Sequence, residues 1–204
     1  MKNLVILSGA GMSAESGIST FRDAGGLWDK YPEGYARNPE LVINFYNERR
    51  KQLLDVVPNA GHLGVADLER DFNVTVVTQN VDNLHERAGS THVIHLHGEL
   101  TKVCSSRDPY NPHFVKELAP EEYEVKLGDK AGDGTQLRPF IVWFGESVPE
   151  IETAIRYVEQ ADIFVIIGTS LNVYPAAGLL NYVPRAAEVY LIDPKPVDTH
   201  VMRP

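Results

Sequence analysis

Two histidines close a short apolar run at His95-Leu96-His97-Gly98. Residues at i and i+2 of a strand share a face, and an unperturbed imidazole titrates near neutral pH, so His97 at the strand end is a candidate general base. A metal site on His95 and His97 is the rival reading, but no nearby pair of cysteines or carboxylates completes it. Upstream, Gln79-Asn80-Val81-Asp82-Asn83-Leu84-His85 follows another apolar run. Its amides and carboxylate could hold a ribose or a carboxamide, or simply cap the next helix. Near the N-terminus, Gly9-Ala10-Gly11-Met12-Ser13-Ala14 has the form of a phosphate cradle. Gly9 permits a tight turn, Gly11 lets backbone approach a pyrophosphate, and small Ala14 allows close helix packing. The plain alternative is a tight strand-to-helix turn. A conventional dehydrogenase carries an acidic residue about 20 positions on to hold the adenosine ribose. Here that region reads Gly25-Gly26-Leu27-Trp28-Asp29, which is no strand end, so a dinucleotide would be used differently.

The elements that must position these groups are legible as an alternation. Apolar runs at Leu4 to Leu7, Val74 to Thr78, His92 to Leu96, Phe140 to Phe144, Ile163 to Ile167 and Val189 to Ile192 read as buried strands. Helical patterns lie between them at Pro39 to Val56, Ala60 to Asp71, Glu150 to Gln160 and Pro175 to Tyr182. Strands separated by helices imply an α/β fold, a Rossmann-like doubly wound parallel sheet covered on both faces. Residues 98–137, rich in proline, glycine and acidic side chains, interrupt the alternation and read as a small inserted module packed around Phe114, Leu118 and Tyr123. The catalytic domain would then comprise residues 1–97 and 138–204.

Composition bounds the function. The chain has 204 residues, 43% hydrophobic and 23% charged, enough to bury roughly 70% of its unfolded surface without a staple. Its net charge of −9, with no extended basic block, speaks against nucleic acid as partner. No apolar run approaches the ~20 residues of a membrane span, and Leu4 to Leu7 is too short for a signal peptide, so a cytoplasmic protein is expected. The single cysteine, Cys104, can form no internal disulfide.

Taken in order, residues 9–22 (GAGMSAESGISTFR), 78–85 (TQNVDNLH) and Leu96-His97-Gly98 resemble the sirtuin family of NAD-dependent protein lysine deacylases. Residues 138–146 (RPFIVWFGE) resemble that family's substrate-binding segment, and residues 168–176 (GTSLNVYPA) its second nucleotide-binding loop. The resemblance implies that Gly9, Ala10, Gly11, Ala14, Phe21, Arg22, Gln79, Gly168, Thr169, Ser170 and Asp193 contact NAD, and that Asn80 and Asp82 line the nicotinamide pocket. It implies His97, with Asn80, as the catalytic pair and free lysine, nicotinamide and O-acyl-ADP-ribose as products. Val142, Phe144, Gly145 and Glu146 would bind acyl-lysine protein or peptide substrates, the peptide joining Gly145 to Val148 as an added strand.

Tyr46 and Arg49, three apart on one helical pattern, could offer a hydroxyl and a guanidinium to one ligand, or belong to a solvated face with Arg50 and Lys51. Within the family they resemble the Tyr-x-x-Arg signature of the class that removes succinyl, malonyl or glutaryl groups, with Ala24 as the small residue that leaves room. Acidic acyl groups are therefore expected over acetyl. Most of the family binds a structural zinc through two Cys-x-x-Cys pairs. Here Cys104 stands alone and Arg107 takes the second position, so the module is expected to hold no metal. Asp193 replaces a common Asn, and the chain ends at Pro204, so either further residues complete the adenine pocket or adenine is held loosely. A monomer is expected. The alternatives are an ADP-ribosyltransferase, which would use the same NAD cleavage, and a non-catalytic NAD sensor.

Overall fold

The computed structural model describes residues 1–18, 35–195 and 197. Its frame is a five-stranded, all-parallel sheet built from β1 (Asn3–Ser8), β2 (Asn73–Thr78), β3 (Val93–His95), β7 (Ile163–Ile167) and β8 (Glu188–Ile192), in the order β3-β2-β1-β7-β8. Side-chain alternation along β1 sorts the core into two layers. Val5 and Leu7 pack with Val77, Phe164 and Ile166 against α5 (Ile151–Val158) and the 3-10 helix Ala176–Tyr182. Leu4 and Ile6 pack with Val74, Val76 and Met12 against α3 (Ala60–Asp67). Both faces are thus apolar, as a parallel sheet demands. Among the described residues no helix is long and apolar enough to cross a membrane.

Two strand expectations change. Phe140 to Phe144 is not a strand of the parallel sheet. The chain there forms β6 (Leu137–Ile141), antiparallel to β4 (Gly98–Ser105), which also pairs with the two-residue β5 (Lys116–Glu117). An apolar run announces a buried strand but not the sheet that takes it in. Val189 to Ile192 is correctly a strand, but as the edge strand β8 it leaves Tyr190, Leu191 and Ile192 exposed.

The module's interior also differs from expectation. Its core is Val103 and Val125 packed on Ile43, with Leu118 at the margin, and Phe114 and Tyr123 lie outside that buried set. Helix α2 (Pro39–Asp55), capped by the Asn38 side chain on Leu41 N–H, holds the module. Asn47 bonds both N–H and C=O of Val125, and buried Arg50 donates to the carbonyls of Tyr123 and Leu100. Arg50 has only neutral acceptors in these bonds, and burial pulls its pKa down to about 10. Ser105 Oγ accepts the Arg107 and Asp108 N–H groups and donates to Asp133 at 2.7 Å. Cys104 is buried with its thiol against the Pro139 carbonyl, and burial pushes its pKa up to about 12. Among the described residues no group of three or more His, Cys, Asp or Glu side chains is placed to hold a metal ion.

Candidate active site

Every described loop singled out for NAD leaves the carboxyl end of a parallel strand, where open α/β sheets bind ligands. The chain reverses direction across the sheet between β1 and β7, and the loops after these two strands meet backbone to backbone. Gly9 N–H donates to the Ile167 carbonyl, and Gly11 N–H donates to Gly168 at 2.8 Å. A Cβ on Gly9 would stand 2.6 Å from Thr169 Cβ, and one on Gly11 2.9 Å from Gly168 Cα. One on Gly168, whose φ is +61°, would stand 2.4 Å from Met12 N. The glycines are therefore demanded by loop-on-loop packing, a cause different from the pyrophosphate approach expected of Gly11. Ala14 also departs from expectation: it is exposed rather than packed between helices.

Beneath this contact runs a buried polar network. Asn80 and Asp82 are only 7% and 6% exposed. The Asn80 amide donates to the Gly9 carbonyl and to Ser13 Oγ, and Ser13 donates to Asp82 at 2.9 Å. Asp82 also accepts Leu84 N–H at the start of α4 (Leu84–Ala88), so the capping role and a place in the crevice are combined in one residue. Gln79 reaches across the sheet, its amide donating to Thr169 Oγ1 at 2.9 Å. Ala10, Gly168 and Ser170, in the two loops that meet there, are half-buried; Asp193, just past β8, is also half-buried and accepts Lys195 N–H.

His97 leaves β3 next to this network. Its Nδ1 lies 3.0 Å from the Gln79 carbonyl, which fixes the tautomer by leaving the proton on Nδ1 and the lone pair on Nε2. Burial lowers its pKa, opposed by the Gln79 bond, so the ring is a neutral acceptor at physiological pH. Gly98, at φ +86° with space for no Cβ beside the Phe140 carbonyl, turns the chain directly into β4. The His97 carbonyl then accepts Val142 N–H, which brings residues 142–146 alongside.

In that segment Phe144 and Gly145 are exposed. The Glu146 carboxylate is engaged internally: Arg138 grips it at 2.7 and 2.9 Å, and Trp143 N–H and Tyr110 hydroxyl donate to it. Burial would raise its pKa, but the Arg138 bonds outweigh this and hold it low. Tyr46 is fully buried and its hydroxyl accepts Trp143 Nε1–H, whereas Arg49 reaches a cavity of about 50 Å³ shared with Ile18, Gln52, Leu53, Val81, Asp82 and Leu100. Ile18, Leu53, Val81 and Leu100 of that lining belong to the same apolar cluster as Tyr46. Phe21, Arg22 and Ala24 lie outside the described residues.

Sequence reasoning did not single out His62, gave His85 no role of its own and offered His95 only to a metal; the three form a second layer. His62 Nδ1 accepts Asn59 N–H, so its Nε2–H faces Ser13 Oγ at 3.4 Å. His85 Nε2 contacts Ser8 Oγ, which itself donates to Thr78, and His85 Nδ1 has no partner among the described residues. Burial lowers both imidazoles, His85 to about 4. His95 bonds the Asn80 carbonyl at 2.9 Å and Glu86 at 2.7 Å.

Comparison with known proteins bears on the same loops. The model of the Sir2 family matches residues 9–175. An NAD-dependent protein deacylase of Bacteroides thetaiotaomicron is 82% identical, with 100% of this chain and 90% of that protein aligned. One of Helicobacter pylori is 53% identical over 98% of this chain and 88% of its own length. Among solved structures, a Sir2 homologue in complex with NAD superposes with a TM-score of 0.82 at 41% identity, covering 95% of this chain and 78% of that one. A Sir2 complex with p53 peptide and NAD+ gives 0.76 at 32% identity, covering 92% and 80%. With the family model spanning the loops after β1, β2, β3 and β7, and with relatives at this identity over most of their length, the chain belongs to the Sir2 family.

Proposed function

We propose that this chain removes acyl groups from protein lysines at the expense of NAD, with His97 as general base and with succinyl and malonyl groups preferred over acetyl. As a Sir2 enzyme the chain is an NAD-dependent protein deacylase. The residues present fit the dinucleotide: the crevice offers neutral amides, hydroxyls and backbone groups for a carboxamide and riboses, and Asp193, after β8, would reach the adenosine ribose. When bound, NAD supplies a glycosidic carbon from which nicotinamide can leave. Asn80 and Asp82 would hold the carboxamide end, and Gly168, Thr169 and Ser170 the adenosine side. The observation that carries the reading is the His97 geometry, a lone pair on Nε2 set by the Gln79 carbonyl, ready to take a proton from a sugar hydroxyl.

Acyl-lysine peptides are the substrate class, by the relatives' name of NAD-dependent protein deacylase and by likeness to a Sir2 structure that holds a p53 peptide. With Glu146 engaged by Arg138, its side chain shapes residues 142–146, and peptide contact falls to backbone and to Val142, Phe144 and Gly145. Arg49 on the small cavity supports the acidic-acyl preference, because a guanidinium binds a carboxylate in two parallel bonds. Asp82 lines both that cavity and the polar network, so an acyl group there would end beside the reacting centre. The test is Arg49→Met assayed with matched succinyl- and acetyl-lysine peptides. The succinyl activity should fall about 30-fold or more, the worth of one charge-assisted contact, with acetyl activity changed little. Equal loss of both refutes the acyl assignment.

A further inference from the structure

We infer that His95, paired with Glu86 as an imidazolium, is a positioning residue that fixes the Asn80 carbonyl and thereby the paired ends of β2 and β3, after which Asn80 and His97 stand. The functional half of this inference rests on the deacylase reading, while the charge state of His95 does not.

His95 is buried, and each ring nitrogen meets an oxygen that can only accept: the Asn80 carbonyl at 2.9 Å from Nδ1 and Glu86 Oε1 at 2.7 Å from Nε2. A neutral imidazole carries one N–H and would turn a lone pair toward one of these oxygens, so both contacts are satisfied only by the doubly protonated ring. His97 differs in this respect. It bonds the preceding carbonyl, Gln79, through Nδ1 alone, and no acceptor for Nε2 is found among the described residues. Successive carbonyls are thus held by alternate histidines of one strand end, one cationic and one neutral. The base must keep a lone pair; the clamp must not.

The surroundings agree. Glu86 on α4 and Glu99 on β4 favour the charge, and His85 on α4 is held neutral. Burial pulls the His95 pKa down, but the Glu86 bond and charge outweigh it and the net direction is up. Glu86 is correspondingly lowered against its own burial. As pH rises through the His95 value, one of its two bonds must be given up, and activity should decline on the alkaline side independently of His97. Glu86→Gln removes that conflict. Its amide can donate to Nε2 of a neutral ring that keeps Nδ1–H on Asn80.

The experiment uses the full chain labelled with 15N-histidine, with the His95 signals assigned by their loss in His95→Asn. At about pH 6.5, where a free imidazole is half protonated, the wild type should give one-bond N–H correlations from both His95 nitrogens, and Glu86→Gln mainly from Nδ1. In parallel, nicotinamide release with an acyl-lysine peptide should fall about fivefold or more in the wild type as pH rises through the His95 titration, and about twofold or less in Glu86→Gln. His95→Leu should lower kcat about tenfold or more with little change in KM, while His95→Asn, whose amide can donate where Nδ1 does, recovers most of it. If His95→Leu does not fold, the spectra and Glu86→Gln decide. A single N–H on His95 in the wild type, or an unchanged alkaline decline in Glu86→Gln, overturns the inference. Absence of nicotinamide release from a wild type whose His95 is doubly protonated overturns the deacylase reading instead, and with it the functional half.

Discussion

Acidification should unfold this protein in part through His85, a residue outside the reaction. The ring is 1% exposed, its Nε2 is taken by Ser8, and its Nδ1 faces no partner among the described residues. A proton added at Nδ1 would be a buried charge without a hydrogen bond, beside His62 whose ring centroid is 5.0 Å away. Burial first, and His62 second, lower its pKa from 6.5 to about 4. In the unfolded chain the imidazole takes its proton near 6.5, so stability is whole above that value and is lost as pH falls toward 4. At about 1.4 kcal/mol per unit the full loss is about 3 kcal/mol, of which about 2.5 kcal/mol is reached between about pH 7.5 and pH 4.5. The assay is urea unfolding of wild type and His85→Gln at both values; the glutamine can still donate to Ser8 but does not titrate. Carboxylate effects cancel in the difference, leaving a wild-type midpoint that falls by roughly 1 M more than that of the variant. Wild-type and variant stabilities that fall in parallel to within about 0.5 kcal/mol would refute the assignment of this proton.

Three further outcomes follow from the geometry. Gly168→Ala should cost about 3 kcal/mol or more, from a left-handed residue and a backbone clash, whereas Gly134→Ala, strained but in open space, should cost about 1–2 kcal/mol; urea titration compares them. Arg138→Met should cost about 3–5 kcal/mol by stranding the Glu146 carboxylate, with Glu146→Gln in the same background restoring part of it; if the double variant is no better than the single, the ion pair is not the cause. Prolonged chelation should leave the thermal midpoint unchanged, and elemental analysis should find no stoichiometric zinc. One tightly bound zinc per chain would contradict a module held by Asn47, Arg50 and Ser105.

The parts of the site legible in the sequence are those carried by local order. β1, β2 and β3 each end in a run of small or polar residues, and that break alone places Gly9, Gln79 to Asp82 and His97 along one sheet edge. What depended on distant partners was not legible. The protonation of His95 turns on Glu86, which sits on the preceding helix and approaches only when β3 pairs with β2. His62 and His85 come together from α3 and α4, and neither has a local signal beyond being a histidine in a helix. Tyr46 and Arg49 share a helical face by spacing, yet Trp143 claims the tyrosine hydroxyl, because long-range packing decides which side of a shared face is buried. The strand at Leu137–Ile141 was misplaced for the same reason, its partner β4 being set by the Gly98 turn.

The central claim is tested most directly by nicotinamide release from NAD, measured with succinyl-lysine and acetyl-lysine peptides for the wild type and His97→Ala. The geometry at His97 predicts release that requires an acyl peptide, is faster with succinyl-lysine, and falls about 100-fold or more without the imidazole. No release with any acyl peptide, or a His97→Ala variant as active as the wild type, would contradict it.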